Sequence, residues 1–426
     1  MKRALGFFVL LWCLPLVAQR FPPPGALPGS PFFIRKTWQI GGVGTWDYLT
    51  VDPVAGRLYI AHGPVVQVVD IETGALVGTI GGFRQAHQVL LDDAGAYGYV
   101  SDGPAGQVKI FDRATLQIVA GVGTGPSPRS IALDSESGLL FAICTEAAGA
   151  GESVPGGANH HARPQSQARR RASQGSVNRL SEDGTRSMIT VIDAQRREAL
   201  ANVVIPGQLG FAQAAGDGRV FVTVADRNEI LRIDSEPIGA MIRRLRGQAN
   251  EAEERERRLP IVLDWGAHLP PPDDGGLQVL PLAGDCDDPL SLAIDRDDQR
   301  LFTACGNMRL VVTNAENGAE VTSLPIGPGA DAVAYDPERR LIFTSNGGGD
   351  GSLTIIRQSV SDTYSVIQNL PTRQQARTLA LDPSTGDIYL VTVLYGAKLG
   401  PPPRNGIGTM TMTAIDSSFQ VLAVGN

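Results

Sequence analysis

The chain has few charged residues and no excess of basic ones. Only 19% of its 426 residues are charged, and 37 Lys and Arg stand against 44 Asp and Glu, which gives a net charge of −7. General nucleic-acid binding relies on a basic surface, so the composition predicts no nucleic-acid partner. Aromatic residues are also scarce at 6%, but the hydrophobic content of 42% is enough to build a core and excludes global disorder.

Beyond its N-terminus the sequence lacks any apolar run long enough to span a membrane as a helix. The apolar stretch from Leu5 to Val17 is too short for that, and it follows the basic residues Lys2 and Arg3. This pattern is typical of a secretory signal peptide. We therefore predict a signal peptide over 1–18, a flexible segment over 19–31, and a soluble, monomeric protein that is periplasmic or secreted and has no transmembrane segment.

Cysteine is scarce as well, with 4 residues in all, and Cys13 lies in the predicted signal peptide. The other three are Cys144, Cys286 and Cys305, and disulfides persist in the oxidising compartment that a signal peptide implies. Three is an odd number, so we expect at most one intrachain disulfide. The sequence also lacks a G-x-S-x-G nucleophile elbow and a phosphate-binding loop, so we expect no catalytic residues of these classes and no cofactor.

Glycine and proline, by contrast, are abundant at 50 and 29 residues, which suits short strands joined by tight turns. One phrase recurs along the chain: an apolar strand, an Asp-rich turn and a second strand, as in "LTVDPVAGRLYIA". A third strand, a Thr-Gly turn and a fourth strand follow, and the β-branched, alternating segments favour strands over helices. The seven copies start near Tyr48, Gln88, Arg129, Phe211, Pro289, Asp331 and Arg377, about 42 residues apart where nothing is inserted.

Four strands per repeat at this period are the signature of a β-propeller blade. We predict an all-β fold over 32–426, a seven-bladed β-propeller of four-stranded antiparallel blades. The last copy lacks an outer strand and the segment 32–42 resembles one, so we expect this N-terminal strand to complete the last blade and close the ring. Two runs, 409–416 and 419–425, compete for the third strand of that blade, and the repeat pattern does not choose between them.

Three insertions interrupt the repeats. The first, 146–187, falls between the second and third strands of blade three. The second, 236–276, falls between the third and fourth strands of blade four and contains a charged helical stretch over 240–258. The third, 394–408, is a Gly/Pro loop in the last blade. Loops that lead into an inner strand share a face with those between second and third strands, so the first and third insertions lie on one face, which we call the top face, and the second lies on the opposite face.

The repeats resemble the YVTN-type, YncE-like family of exported seven-bladed propellers, and the resemblance covers nearly the whole chain after the signal peptide. The closing "SSFQVLAVGN" resembles the final strand of that family, which favours 419–425 in blade seven. The resemblance implies a propeller fold, export and a binding role, and it implies no reaction. The three insertions are departures from the family. The strongest stretches are "WDYLTVDPVAGRLYIAHG", "DPLSLAIDRDDQRLFTAC", "LPIGPGADAVAYDPERRLIFTSNGGGDGSLTII" and "RQQARTLALDPSTGDIYLVT".

The residues that start each inner strand should rim the central channel at the top face, and they differ from copy to copy. A concave site with convergent polar groups is the default binding site of an uncharacterised protein. Alternating acidic and basic groups around a water-filled channel can also simply neutralise one another, and both interpretations stay open. The candidate binding residues are Trp46, Asp47, His87, Arg129, Asp288, Asp331 and Arg377.

The two arginines of this rim favour an anionic ligand such as a carboxylate or phosphate. A transition-metal site usually needs two or more His or Cys ligands, so we expect no metal. The predicted function is therefore an exported binding module whose top face takes a small anionic ligand or an envelope protein. The alternative is a metal-dependent propeller hydrolase or lyase with its site near Asp47, His87 and Asp331, and a third possibility is a structural scaffold in the envelope.

Cys286 precedes the inner strand of blade five and Cys305 ends the neighbouring strand, so antiparallel pairing brings their ends together. The family resemblance also implies cysteine at both places, and we predict a Cys286–Cys305 disulfide. Cys144 then remains as a buried free thiol. His62 at a strand end and His268 in the second insertion are expected to be exposed.

Overall fold

The computed structural model describes residues 31–42, 44–93, 95–145, 185–247, 260–264, 276–282, 284–359, 362–399, 410–415 and 417–426. In the described residues, seven of the sheets each contain a set of four antiparallel strands that forms one blade, and so the predicted seven-bladed β-propeller is confirmed. The inner strands of successive blades are neighbours, and the seventh returns to the first. The blades therefore form a closed ring around a central channel.

The strands are numbered in chain order, beginning with β1 (Phe33–Gln39). Blade one contains β2 (Trp46–Asp52), β3 (Arg57–His62), β4 (Val65–Asp70) and β5 (Leu76–Ile80). Blade two contains β6 (Ala86–Leu91), β7 (Tyr97–Asp102), β8 (Gln107–Asp112) and β9 (Ile118–Gly123). Blade three contains β10 (Pro128–Asp134), β11 (Leu139–Thr145), β12 (Arg186–Asp193) and β13 (Glu198–Pro206).

Blade four contains β14 (Leu209–Ala214), β15 (Arg219–Val224), β16 (Glu229–Asp234) and, after helix α1 (Ser235–Gly247) and strand β17 (Ile261–Asp264), β18 (Leu277–Pro281). Blade five contains β19 (Pro289–Asp295), β20 (Arg300–Cys305), β21 (Arg309–Asn314) and β22 (Glu320–Pro325). Blade six contains β23 (Ala330–Asp336), β24 (Leu341–Asn346), β25 (Ser352–Gln358) and β26 (Tyr364–Pro371). Blade seven contains β27 (Leu379–Leu381), β28 (Ile388–Thr392), β31 (Gln420–Gly425) and β1, while β29 (Tyr395–Leu399) and β30 (Met410–Ala414) form a separate hairpin.

The recurring aspartate closes the turn between the first and second strand of a blade. In blade one the Asp52 carboxylate accepts a hydrogen bond from the Ala55 N–H at 3.0 Å, and in blade six Asp336 accepts from the Arg339 N–H at the same distance. Such a side-chain bond to the backbone two or three residues ahead mimics a backbone turn. Asp52 and Asp336 are almost fully buried, so the repeated phrase is scaffold and not ligand-binding surface.

The aromatic residue of the repeated phrase fills the core. Each second strand has one aromatic residue that is at most 5% exposed, the third residue in blades one to six and the second in blade seven, because second strands are covered by blades on both sides. These aromatic residues thus pack between neighbouring blades. These residues are Tyr59, Tyr99, Phe141, Phe221, Phe302, Phe343 and Tyr389.

The ring closes through the N-terminal strand, as predicted. Strand β1 pairs with β31 in antiparallel register, from Phe33 opposite Gly425 to Gln39 opposite Gln420. Strand β31 also pairs with β28, so it is the third strand of blade seven, and the run 419–425 holds the position that the family resemblance favours.

The second and third insertions differ in detail from the sequence predictions. Helix α1 begins at Ser235, five residues before the predicted helical stretch, because Ile238 and Ile242 on one of its faces are buried in the core of blades three and four. Strand β17 was not predicted, and it pairs in parallel with β13, which makes blade three five-stranded. In the third insertion, 395–399 is a strand and not a loop. It pairs with β30 outside the blade.

Most of the first insertion, 146–184, lies outside the described residues, and so do 248–259 and His268. The third strand of blade three begins at Arg186, one residue before the predicted end of that insertion. Within the described ranges, no helix is long and apolar enough to cross a membrane.

Candidate ligand-binding site at the channel mouth

A β-bulge near the top of the inner strand recurs in blades one to six. The register shifts lie between Trp46 and Leu49, Ala86 and Val89, Pro128 and Ser130, Leu209 and Ala212, Pro289 and Ser291, and Ala330 and Ala332. A bulge leaves a residue out of the ladder and re-aims its side chain. In blade seven the inner strand starts at Leu379, and Arg377 occupies the matching position before it. We call the side chains at these positions the channel mouth: Asp47, Tyr48, His87, Arg129, Phe211, Leu290, Asp331 and Arg377.

Two aromatic rings meet across the channel. Tyr48 belongs to blade one and Phe211 to blade four, and their ring centroids are 5.2 Å apart with the planes inclined by 47°. Both side chains are half-buried, Tyr48 against the core of blades six and seven and Phe211 against the core of blades four and five. Since these blades lie on opposite sides of the ring, the contact narrows the channel to a floor at this level.

Four of the charged or titratable groups of the mouth are paired across blade boundaries. His87 Nδ1 lies 2.7 Å from Asp47 Oδ2, which joins blade two to blade one. Arg377 Nε lies 3.3 Å from Asp331 Oδ2, which joins blade seven to blade six. Arg377 also donates a hydrogen bond to the Trp46 carbonyl at 3.3 Å. The predicted neutralisation of acidic by basic groups is therefore realised for the Arg377–Asp331 pair.

Arg129 differs from these groups. It is exposed, and within the described residues its guanidinium has no hydrogen-bonding or ion-pair partner. Its backbone is held firmly, because the Ser101 hydroxyl donates to the Arg129 carbonyl at 2.9 Å. The next residue, Ser130, donates to the buried Gln88 amide oxygen at 2.8 Å and accepts from the Ala212 N–H at 2.9 Å. A fixed backbone thus presents an unneutralised cation at the mouth.

The Tyr48 phenol lies within the electrostatic reach of the mouth charges. Burial raises its pKa well above 10, and the negative charges of Asp331 and Asp47 raise it further, while Arg377 and Arg129 act in the opposite direction. The phenol is therefore protonated at neutral pH. It can donate a hydrogen bond but does not act as a phenolate base or nucleophile.

Two predicted binding residues lie elsewhere. Trp46 pairs with His62 in the sheet, is 9% exposed and packs against Phe419 with ring centroids 5.6 Å apart, so it belongs to the core between blades seven and one. Asp288 immediately precedes the inner strand of blade five, with a left-handed φ of 57°, and the bulge position of that blade is Leu290. Asp47, Arg129, Asp331 and Arg377 occupy the mouth, whereas His87, at the bulge position of blade two, is buried at 2% exposure.

Three mouth residues were not among the predicted binding residues, namely Tyr48, Phe211 and Leu290. In blades one, two and four the bulge contains two residues, and the sequence alone does not show which of them faces the channel. In the sequence, the bulky side chains that follow Asp47 and Gly210 were the signal that could have identified Tyr48 and Phe211 as mouth residues.

The expectation that His62 is exposed is wrong. Its side chain is 1% exposed, its Nδ1 lies 2.8 Å from Gln67 Oε1, and its ring packs on Phe419 with centroids 4.0 Å apart. Burial lowers its pKa below the usual value of 6.5. His62 is consequently a neutral core residue at the junction of blades seven and one.

The predicted disulfide is present at the top of blade five. Cys286 and Cys305 are bonded with their Cα atoms 5.3 Å apart, and both are buried. Cys144, the remaining cysteine among the described residues, is a buried free thiol, as predicted. Burial raises the pKa of the Cys144 thiol to about 11, which makes it inert as a nucleophile at neutral pH.

Among the described residues, no three His, Cys, Asp or Glu side chains lie close enough together to share one metal ion. His87 engages Asp47 through Nδ1, and Asp331 engages Arg377, so these donors are committed to different partners. An exposed guanidinium above an aromatic floor suits an anionic ligand better than a cation.

Comparison with known proteins shows the fold and no family. No protein-family model matches the chain, and no curated protein matches it. Among solved structures, a chain in "Crystal Structure of Mitotic Checkpoint Complex" is similar with a TM-score of 0.57 and 12% identity, covering 97% of this chain and 100% of that one. The RRP9 WD40 repeats give a TM-score of 0.59 and 8% identity over 91% of this chain and 96% of that one.

A third similar structure is the hydrazine synthase of Kuenenia stuttgartiensis, with a TM-score of 0.55 and 14% identity over 83% of this chain and 95% of that chain. Identities this low carry no functional assignment. They show that the chain is a seven-bladed β-propeller with WD40-like structural neighbours.

Proposed function

We propose that this protein is an exported propeller of the YVTN-type, YncE-like kind that binds a small anionic ligand at the channel mouth without transforming it. The observation that supports a binding site is that Arg129, an exposed arginine of the mouth, has no ion-pair partner among the described residues. A ligand carboxylate or phosphate that accepts from an arginine forms a charge-assisted, often bidentate hydrogen bond.

Export is supported by the N-terminal basic and apolar pattern and by the Cys286–Cys305 disulfide, which is stable in an oxidising compartment. The family assignment is supported by the repeated strand–turn–strand phrase, such as "LTVDPVAGRLYIA", in blades of the expected architecture. We propose a periplasmic or secreted monomer. An acidic group of an envelope protein is a second ligand source with the same chemistry.

The binding site is tested by thermal-shift screening of the mature chain, 19–426, against carboxylates, phosphates and divalent metals. We expect at least one anionic compound to raise the melting temperature of the wild-type protein, and Arg129→Gln to abolish that shift. Arg244→Gln is the matched control, because Arg244 is an exposed arginine on helix α1, on the face opposite the mouth.

If no anion-dependent shift changes with Arg129→Gln, the proposed site is wrong. A shift produced by metals alone, and lost on Asp47→Asn and Asp331→Asn, would instead favour the metal-dependent alternative.

Export is tested separately by fractionation of cells that express the full chain. The proposal predicts that the protein accumulates outside the cytoplasm with an N-terminus at Gln19. An uncleaved cytoplasmic protein would contradict it.

A further inference from the structure

We propose that the channel mouth selects amphipathic anions, in which a carboxylate binds Arg129 and a flat apolar body lies on Tyr48, Phe211 and Leu290. This inference deepens the proposed function and depends on it. It is drawn from how charge and apolar surface are distributed around the ring.

The mouth is divided into two arcs. Blades six, seven, one, two and three contribute polar groups, beginning with Asp331 and ending with Arg129. Blades four and five contribute only Gly210, Phe211 and Leu290 at the same positions. A ligand that is charged at one end and apolar at the other is complementary to such a divided surface.

Arg129 lies at the boundary between the two arcs. Its strand, β10, is the immediate neighbour of β14, which bears Phe211. The Ser130 hydroxyl fixes the two strands together by accepting from the Ala212 N–H at 2.9 Å. The guanidinium and the Phe211 ring therefore belong to adjacent positions on the rim, and a carboxylate bound to the former holds its substituent near the latter.

The Tyr48–Phe211 contact supplies the floor. Both rings are half-buried, Tyr48 against the core of blades six and seven and Phe211 against the core of blades four and five, and they contact each other. Aromatic rings prefer offset or inclined contacts with other rings at centroid separations of roughly 4.5–7 Å, and a flat ligand can continue this arrangement.

A single guanidinium points to a ligand with one anionic group. Arg377 is paired with Asp331, and the Asp47 carboxylate with the His87 ring, which leaves Arg129 as the mouth arginine without an ion-pair partner among the described residues. The protonated Tyr48 hydroxyl adds a neutral donor and no further cation. Inorganic phosphate and acetate could use Arg129 but would leave the apolar arc exposed to water, so they should bind more weakly than a carboxylate with an apolar body.

The test uses calorimetric titration of the mature chain with benzoate, phenylacetate and indole-3-acetate, each compared with its neutral amide and with acetate. We expect at least one aromatic carboxylate to bind about 10-fold or more tightly than both acetate and its amide, because each comparison removes one of the two contacts. Arg129→Gln should reduce the affinity for that carboxylate to the level of its amide, and Arg129→Lys should restore part of it.

Phe211→Leu keeps an apolar side chain of similar size. It should reduce the ratio of the affinity for the aromatic carboxylate to the affinity for acetate several-fold, while the affinity for acetate stays unchanged. Arg244→Gln should change nothing. Folding of each variant is checked by its melting temperature in the absence of ligand.

Several results would overturn the inference. If none of the three aromatic carboxylates binds more tightly than acetate, the proposal that the apolar arc selects the ligand is wrong. It is also wrong if Phe211→Leu leaves the affinity difference between the aromatic carboxylate and acetate unchanged. If acetate or phosphate nevertheless binds in an Arg129-dependent manner, the proposed function stands and only this inference fails. If no anion of either panel binds in a manner that depends on Arg129, both fail.

Discussion

Gln368 of blade six holds the backbone of Phe32 through both ends of its amide. Its Oε1 accepts from the Phe32 N–H at 2.9 Å, and its Nε2 donates to the Phe32 carbonyl at 2.8 Å. Phe32 itself is 4% exposed and packs edge-on against Phe343 with ring centroids 5.5 Å apart. The N-terminal strand that closes the ring is thus anchored to the neighbouring blade before it pairs with blade seven.

Gln368→Ala should therefore destabilise the protein by about 1–3 kcal/mol, because it removes two hydrogen bonds from a partly buried backbone site. The measurement is the free energy of unfolding in urea. Asn369→Ala is the matched control, since Asn369 is exposed on the same strand, and it should have little effect. Equal destabilisation by the two variants would show that the anchor contributes nothing specific.

A second prediction concerns Gly125 and the free thiol. A Cβ atom built on Gly125 would lie 3.3 Å from the Cys144 Cβ, close to the separation found in disulfides. Gly125 stands three residues before Pro128, as Cys286 stands three residues before Pro289, and both prolines begin inner strands. Blade three thus has the geometry of the disulfide in blade five with one cysteine missing.

Gly125→Cys should form a disulfide with Cys144 and stabilise the oxidised protein by up to about 3 kcal/mol, the loop-entropy value for a loop of this length. The Met188 side chain must move, because its sulfur lies 2.5 Å from the built atom. Gly125→Ala is the control for that crowding. Mass spectrometry of the oxidised variant reports the bond, and a free Cys144 thiol in the folded variant would contradict the geometry.

The third prediction concerns the accessibility of Cys144. Its burial and its raised pKa, about 11, should prevent reaction with a thiol reagent in the native mature chain at pH 8. Unfolding under non-reducing conditions should expose one thiol per chain, because Cys286 and Cys305 remain bonded. Rapid labelling of native protein would show that the blade-three core opens readily.

A fourth prediction is pH-dependent and concerns His62. Its folded-state pKa is lowered by burial, so between that value and the unfolded value of about 6.5 the unfolded chain binds more protons than the folded chain. Stability should therefore fall as the pH drops below about 6.5 and should be fully present above it. Urea unfolding at pH 7.5 and 5.5 measures the effect, and His62→Gln should reduce the difference between the two pH values. If the difference in the free energy of unfolding between pH 7.5 and pH 5.5 is the same in His62→Gln as in the wild type, groups other than His62 cause the pH dependence.

The fold was predictable from the sequence because each blade repeats the same local requirements. The Asp52-type turn, the buried aromatic of the second strand and the alternating apolar residues are readable within one repeat. The third strand of blade seven was not readable from the repeat pattern alone, because 409–416 and 419–425 are both suitable strands and the choice depends on pairing with the distant N-terminal strand.

The binding site was predictable only in part for the same reason. The position of Asp47 and Arg129 within their repeats was enough to predict that they lie at the mouth. The bulges add a residue whose orientation depends on the sheet, and so Tyr48 and Phe211 were missed. The assignment of Trp46 to the rim and of His62 to the surface failed to anticipate their mutual pairing, which buries both against Phe419. The contacts with Phe419 join residues near opposite ends of the chain, and no local pattern encodes them.

Binding at the channel mouth is tested most directly by a crystal structure of the mature chain soaked with the tightest-binding aromatic carboxylate of the series. We expect density above the Tyr48–Phe211 contact, with the carboxylate within hydrogen-bonding distance of the Arg129 guanidinium and the ring against Phe211. Density for the carboxylate at another surface, with the channel mouth of Arg129 and Phe211 empty at saturating concentration, would contradict binding at the mouth.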